Sequence, residues 1–175
     1  DSHNFTDADR DGKYFNGTIG FTTNSNWVND VTDTIISITD GQVSSGNNIN
    51  YWCISYKSVP GFSRIGNYTG NGRTDGPFIY TGFRPAWIMI KRIDANASWY
   101  IYDYARLLRN PLGVVNQPLL ADANNAEGGA DTSWYIDGLS NGFKLRNSSN
   151  FDNASGGTYV YMAFADQPFN FSNAR

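Results

Sequence analysis

Short runs of alternating hydrophobic and polar residues dominate the chain, and clusters of Gly, Asn, Asp and Pro separate them. Residues 61–69 form one such run, and Gly70-Asn71-Gly72 ends it with residues that tolerate the backbone of a tight turn. No long segment repeats its hydrophobic positions with the 3.6-residue period of a helix. The pattern therefore predicts an all-β protein of antiparallel strands, arranged as a jelly-roll-like β-sandwich.

Three aromatic-rich segments are predicted to be central strands of this sandwich. Residues 85–91 and 99–104 should form a hairpin, and residues 159–164 form a third strand of the same type. Successive side chains of a strand point to opposite faces, and in these segments neither face is polar. Each face must then be covered, either by a second layer or by a neighbouring chain.

The second part of the chain repeats the first at a spacing of about 107 residues. The matching positions are Trp27, Asp30, Ile36 and Ile38 in the first copy and Trp134, Asp137, Phe143 and Leu145 in the second. Nothing in the first copy matches residues 61–99, and chance similarity between aromatic-rich strands is the alternative explanation. We expect residues 1–58 to be the C-terminal half of a first repeat module and residues 60–175 to be a complete second module. Tandem modules are typical of arrays and fibres.

Composition excludes some classes of function. Charged residues are only 17% of the chain, and the net charge is −3, so no basic surface for nucleic acid is expected. No apolar run reaches the roughly 18 residues of a membrane span, so no membrane insertion is expected. Aromatic residues reach 15%, which suits half-buried strands and interfaces.

An acidic segment near the start of the chain is the one candidate for a metal site. Asp7, Asp9 and Asp11 are spaced like the first ligands of a calcium loop. Thr18 stands where such a loop carries a bidentate Glu, and the second copy lacks the other acids. A pair of Asp and Arg side chains tying a strand end to a turn explains both copies. We therefore expect no resident cofactor, with calcium as the only candidate.

The residues needed for common hydrolytic sites are scarce. His3 is the only histidine and Glu127 the only glutamate. A Ser-His-Asp site is therefore not expected, and glycoside hydrolysis needs two carboxyl groups about 5–10 Å apart in a cleft. Most aspartates stand beside Asn or Gly, in contexts typical of solvated turns. We expect no catalytic residues and no enzymatic activity.

Aromatic rings together with amide side chains indicate carbohydrate binding, since the apolar faces of sugars stack on rings. The candidate ligand-binding residues are Trp99, Tyr104, Trp134 and Tyr135. The alternative is that these rings pack in the core or between subunits. This alternative is stronger for Trp134, because Trp27 repeats it in the first copy.

The complete module also carries a series of motifs in a fixed order. They include Gly61-Phe62-Ser63, Tyr68-Thr69-Gly70-Asn71-Gly72, Arg84-Pro85-Ala86-Trp87-Ile88-Met89-Ile90-Lys91, Trp99-Tyr100-Ile101-Tyr102-Asp103, Gly142-Phe143-Lys144-Leu145, Asn153-Ala154-Ser155-Gly156-Gly157-Thr158-Tyr159-Val160-Tyr161-Met162-Ala163-Phe164-Ala165 and Pro168-Phe169. In order and spacing this series resembles a repeated module of tailed bacteriophage virion proteins, common in marine phages. One departure is the segment 78–83, which replaces the His-Gly-Leu-Gly type of turn often found before the Pro.

The resemblance implies a lectin-like (concanavalin-like) β-sandwich in a virion protein, and it transfers no catalytic residues. We expect a tail-fibre or receptor-binding module on the particle surface that recognises a host surface glycan and contacts other virion subunits. The alternative is a capsid decoration or fibre-shaft protein with a purely structural role. The two-sided apolar strands and the incomplete first module predict a homo-oligomer, and a trimer if the chain belongs to a fibre.

Overall fold

The computed structural model describes the protein over residues 56–104, 106, 118–125 and 132–167, and it gives the backbone of four short strands before residue 39. The strands in these residues are β1 (Asp11–Gly12), β2 (Thr22–Thr23), β3 (Val28–Val31), β4 (Ile36–Ile38), β5 (Ser63–Thr69), β6 (Phe78–Tyr80), β7 (Pro85–Arg92), β8 (Trp99–Asp103), β9 (Leu119–Leu120), β10 (Ile136–Leu139), β11 (Gly142–Leu145) and β12 (Thr158–Ala165). A single-turn 3-10 helix spans Thr132–Trp134. No helix within this part of the chain has the length and apolar character needed to cross a membrane.

The larger sheet has five antiparallel strands in the order β5-β12-β7-β8-β9. The predicted hairpin of residues 85–91 and 99–104 is confirmed, since β7 pairs with β8 and Ile90 lies opposite Tyr100. On the other side of β7, Ile90 lies opposite Tyr161 of β12. The three aromatic-rich strands are therefore central, as their two-sided hydrophobic pattern predicted.

A smaller antiparallel sheet, in the order β10-β11-β6, covers one face of the larger sheet. Its fully buried Phe143 packs edge-on against Tyr68 and Tyr161 of the larger sheet, with ring centroids 6.4 and 5.4 Å apart. Ile79, Ile136 and Leu145 enter the same hydrophobic cluster. The all-β prediction is thereby confirmed for the described residues, while the jelly-roll connectivity stays a prediction.

The opposite face of the larger sheet is apolar too, and the chain itself covers much of it. Met89, Lys91 and Trp99 on this face are buried at 3%, 0% and 8% exposure. The Lys91 ammonium donates a hydrogen bond to the Ala97 carbonyl. This bond offsets part of the free-energy cost of burying the lysine charge. At the far end of the face, Phe164 remains half-buried, and the nearby segment 56–62 supplies two of its ring contacts.

The repeat noted in the sequence reappears as two hairpins with the same register. In β3–β4, Asp30 lies opposite Ser37 and Val31 opposite Ile36. The residues 107 positions later, in β10–β11, pair in the same way: Asp137 with Lys144 and Gly138 with Phe143. The register of β3–β4 shifts between Val28 and Asp30, so the correspondence stops at this irregularity. The division into modules at residues 58–60 stays a prediction.

Candidate ligand-binding cleft

An open cleft of about 370 Å³ lies where several turns meet at one end of the two sheets. Its lining comes from the segment before β5, the β6–β7 and β10–β11 turns and the end of β12: Gly61, Gly82, Phe83, Arg84, Ser140, Asp166 and Gln167. Backbone hydrogen bonds hold these turns together, from Gly82 N to Asn141 O (3.1 Å) and from Asp166 N to Arg84 O (2.9 Å). The cleft is thus built from turns that these backbone hydrogen bonds join to one another.

Two of the lining residues are glycines in a backbone conformation that disfavours any other residue at the same position. Gly61 has φ of 73° and Gly82 has φ of 84°, both in the left-handed region where a Cβ atom causes strain. These positions therefore present backbone without side chains, and a ligand is able to approach the chain closely.

The cleft also contains one cation and one anion that do not pair with each other. Arg84 and Asp166 are exposed, and no ion pair of either is found among the described residues. By contrast, Arg92 binds Asp94 at 2.8 Å and Arg146 binds Asp137 at 2.6 Å. The guanidinium of Arg84 and the carboxylate of Asp166 therefore remain available as donor and acceptor for a ligand.

Strand β6 carries two exposed aromatic rings, and we call them the aromatic platform: Phe78 and Tyr80. Their exposed fractions are 44% and 63%. The Tyr80 hydroxyl lies 3.6 Å from the point that a Cβ atom on Gly82 would occupy, so the ring reaches the rim of the cleft. The Phe78 ring lies over Gly142 of the neighbouring strand in the same way. Exposed rings beside polar groups are typical of carbohydrate sites.

At the other end of the sheets, an internal carboxylate anchors the segment 147–157. We call this segment the buried loop after its fully buried residues, Asp152 and Asn153. Asp152 is fully buried, and its Oδ2 accepts hydrogen bonds from the Tyr102 hydroxyl (2.7 Å) and from Asn147 Nδ2 (3.3 Å). Its Oδ1 has no hydrogen-bond partner among the residues that the structure describes. Burial raises the pKa of Asp152 to about 7, and the two hydrogen bonds lower it by a smaller amount.

Neighbouring groups complete the anchoring of the buried loop. The Tyr68 hydroxyl donates to the Asp152 carbonyl at 2.7 Å, and the Ala154 N–H donates to the Tyr159 hydroxyl oxygen at 2.8 Å. Asn153, also fully buried, donates through Nδ2 to the carbonyl oxygens of Arg73 and Asn147. Because these groups are closed to solvent, we assign the cluster to the positioning of the loop and not to ligand chemistry.

The four predicted ring residues lie elsewhere, and none of them lines the cleft. Trp99 is buried on the outer face of the larger sheet. Tyr104 is half-buried with its ring against Gly138. Trp134 stacks on Phe151 at 4.8 Å and contacts Tyr100 at 5.2 Å, and the half-buried Tyr135 offers its carbonyl to Arg146. The structure thus favours packing for Trp99 and Trp134, while their role in ligand binding stays a prediction.

Sequence reasoning overlooked the residues that do form the cleft. Arg84 and Asp166 are far apart in the chain, and only strand pairing brings their backbones into contact. A signal for the aromatic platform was present in segment 78–83, where aromatic residues alternate beside Gly82. The same segment departs from the phage module, so the resemblance to that module gave no guide to its role.

The calcium candidate falls mostly outside the described residues. This applies to Asp7 and Asp9, whereas Asp11 is described only by its backbone, which pairs with Thr23 in β1–β2. Within the described part of the chain, no group of three His, Cys, Asp or Glu side chains is placed to hold a metal ion. Calcium binding at the first segment stays a prediction.

The described residues thus define an all-β protein of two packed antiparallel sheets, with an open polar cleft and an aromatic platform at one end. The chain belongs to the family described as Domain of unknown function (DUF7483), which it matches over residues 5–168. No curated protein and no solved structure matches it.

Proposed function

We propose that the chain is a bacteriophage virion protein, most concretely a tail-fibre or receptor-binding module, that recognises a host surface glycan at the cleft. The observation that carries this proposal is the position of Tyr80 at the rim of a cleft lined by Arg84 and Asp166, neither of which has an ion-pair partner among the described residues. A sugar offers one apolar face to a ring and a rim of hydroxyl groups to polar side chains. The virion context rests on the resemblance of residues 60–175 to the phage module.

The proposed activity is binding without catalysis. Glycoside hydrolysis needs two carboxyl groups on either side of the scissile bond. Asp166 is the only carboxylate among the described residues that line the cleft. The fully buried Asp152 lies in the loop at the other end of the sheets and is closed to substrate.

A purely structural role in the virion, as a capsid decoration or fibre-shaft element, is the second candidate. Apolar surface that remains exposed favours it: Phe78 at 44%, Phe151 at 42% and the half-buried face around Phe164. In this case the aromatic platform is a contact between subunits instead of a sugar site.

The test compares binding of the purified chain and of two variants to host cells and to a glycan array. Tyr80→Ala removes the ring at the cleft and should abolish most of the binding. Phe151→Ala removes another exposed ring, 42% exposed against 63% for Tyr80, from the loop at the other end of the sheets, and binding should be retained. Absence of glycan and cell binding by the wild-type chain, or equal binding by Tyr80→Ala, would overturn the glycan proposal in favour of the structural role.

A further inference from the structure

We infer that the cleft selects glycans bearing an acidic group, with Arg84 as the residue that anchors the anion. This inference rests on the proposed function and names the class of sugar for the same site. Arg84 lines the cleft, is exposed to solvent and has no carboxylate within ion-pair distance in the described residues. An unpaired guanidinium in a cleft is a ready partner for an oxyanion.

The backbone of Arg84 is held in place on both sides of the residue. Its carbonyl accepts the hydrogen bond from Asp166 N, which links the start of β7 to the end of β12. Pro85 follows it, and a residue before proline is restricted to extended conformations. Only the side chain is therefore free to adjust, and less entropy is lost when it binds a ligand.

The guanidinium group suits a planar carboxylate better than a neutral hydroxyl. Its parallel N–H groups form two hydrogen bonds to one carboxylate, and charge assistance makes each stronger than a neutral hydrogen bond. Uronic-type sugars supply a carboxylate, and sulfated sugars supply an oxyanion of similar charge. The planar geometry favours the carboxylate, so we assign the cleft to carboxylated sugars.

Asp166 sets the orientation of the sugar. Its carboxylate is an acceptor only, so it binds hydroxyl groups and repels a second anion. A ligand with its acidic group toward Arg84 and its hydroxyl groups toward Asp166 satisfies both residues. Sugars with several closely spaced negative charges are disfavoured by the same repulsion.

Three matched ligands and three proteins test this inference by calorimetry. The ligands are an oligosaccharide of glucose, the same oligosaccharide with a single glucuronic acid residue at its end, and a form of the first that carries a single sulfate group. The proteins are the wild type, Arg84→Gln and the control Arg73→Gln, which removes an exposed arginine near the buried loop.

The wild type and Arg73→Gln should bind the glucuronic acid ligand about tenfold more tightly than the neutral one, the advantage of one charged contact. Arg84→Gln should lose this preference, so that it binds the neutral and the glucuronic acid ligand with similar affinity. Rising salt should reduce only the acidic preference.

The outcomes separate the two proposals. Equal binding of neutral and carboxylated ligands by the wild type overturns the acidic selectivity alone, as does a preference that Arg84→Gln retains. Tighter binding of the sulfated ligand than of the glucuronic acid ligand overturns the assignment to carboxylates. Absence of binding to all three ligands, together with failure on the glycan array, overturns the proposed function as well.

Discussion

The Tyr102 hydroxyl donates a 2.7 Å hydrogen bond to Oδ2 of Asp152, and both side chains are buried, at 1% and 0% exposure. The bond joins strand β8 to the buried loop 50 positions later in the chain. It is the shorter of the two hydrogen bonds to this carboxylate, whose other oxygen has no partner among the described residues, so it is one of the contacts on which the loop depends.

Removal of this hydroxyl should destabilise the fold. Tyr102→Phe keeps the ring but leaves the buried Asp152 carboxyl with one fewer hydrogen-bond partner, and loss of a partner by a buried polar group costs about 1–3 kcal/mol. Tyr56→Phe, at a ring that is 50% exposed, is the control and should have almost no effect. Urea denaturation followed by tryptophan fluorescence measures both. Equal stability of the two variants would contradict the anchoring role of Tyr102.

Ionisation of Asp152 should make the protein less stable as pH rises. The carboxyl has a pKa of about 7 in the folded state against an ordinary value of 3.8, so between these values the folded chain binds the extra proton. The contribution of the Asp152 carboxyl to the free energy of unfolding is fully present below about pH 4. It is lost as the pH rises through 7. At about 1.4 kcal/mol per pKa unit, the loss is about 4 kcal/mol.

The measurement compares the wild type with Asp152→Asn from pH 4 to pH 8. Other carboxylates respond in the opposite direction, because ion pairs with Lys144 and Arg92 lower the pKa of Asp75 and Asp94 respectively. Both proteins share these responses, so their difference isolates Asp152. The stability of the wild type relative to the variant should fall with rising pH, and a constant difference would contradict the raised pKa.

Replacement of the Asn153 side-chain nitrogen by oxygen, in Asn153→Asp, should strongly destabilise the fold. Its Nδ2 donates to Asn71 Oδ1 and to the carbonyls of Arg73 and Asn147, while its Oδ1 accepts from Asn71 N. Asn153→Asp places a negative charge against these acceptors in a fully buried position, at a cost of more than about 3 kcal/mol. Asn150→Asp in the exposed part of the same loop should cost little, and thermal unfolding distinguishes the two.

The contact between the sheets should depend on Phe143. Phe143→Ala leaves a cavity between the sheets and should cost about 3–5 kcal/mol. Phe78→Ala on the opposite face of the smaller sheet should cost about 1 kcal/mol or less, because the ring is 44% exposed. Chemical denaturation of both variants measures this difference. Similar losses would mean that the outer face is covered by another chain.

The oligomeric state remains open to direct measurement. We predict a homo-oligomer, so light scattering at micromolar concentration should give a mass well above the 19.4 kDa of one chain. Phe78→Asp should shift the mass toward the monomer if the aromatic platform is the subunit contact. A monomeric wild type would show that the apolar faces are covered within the chain, as Met89 and Trp99 already are.

The sequence by itself determined the three aromatic-rich central strands of this protein, whereas it did not indicate the short strands β6 and β9. Alternation of side chains between two faces is a local property of a strand, so residues 85–91, 99–104 and 159–164 were predictable together with their central position. The repeat at a spacing of 107 residues was also visible in the sequence, and the structure gives its equivalent pairs Asp30–Ser37 and Asp137–Lys144 the same register.

Only the tertiary structure decided where the cleft lies and which side chains remain free. Arg84 and Asp166 meet because β7 and β12 pair antiparallel, and no local pattern encodes the partner of a strand. Trp99 and Tyr80 are both aromatic strand residues, yet one is buried at 8% exposure and the other is 63% exposed. The difference is whether another part of the chain packs over the face of the sheet that carries the ring. This depends on contacts between residues far apart in the sequence.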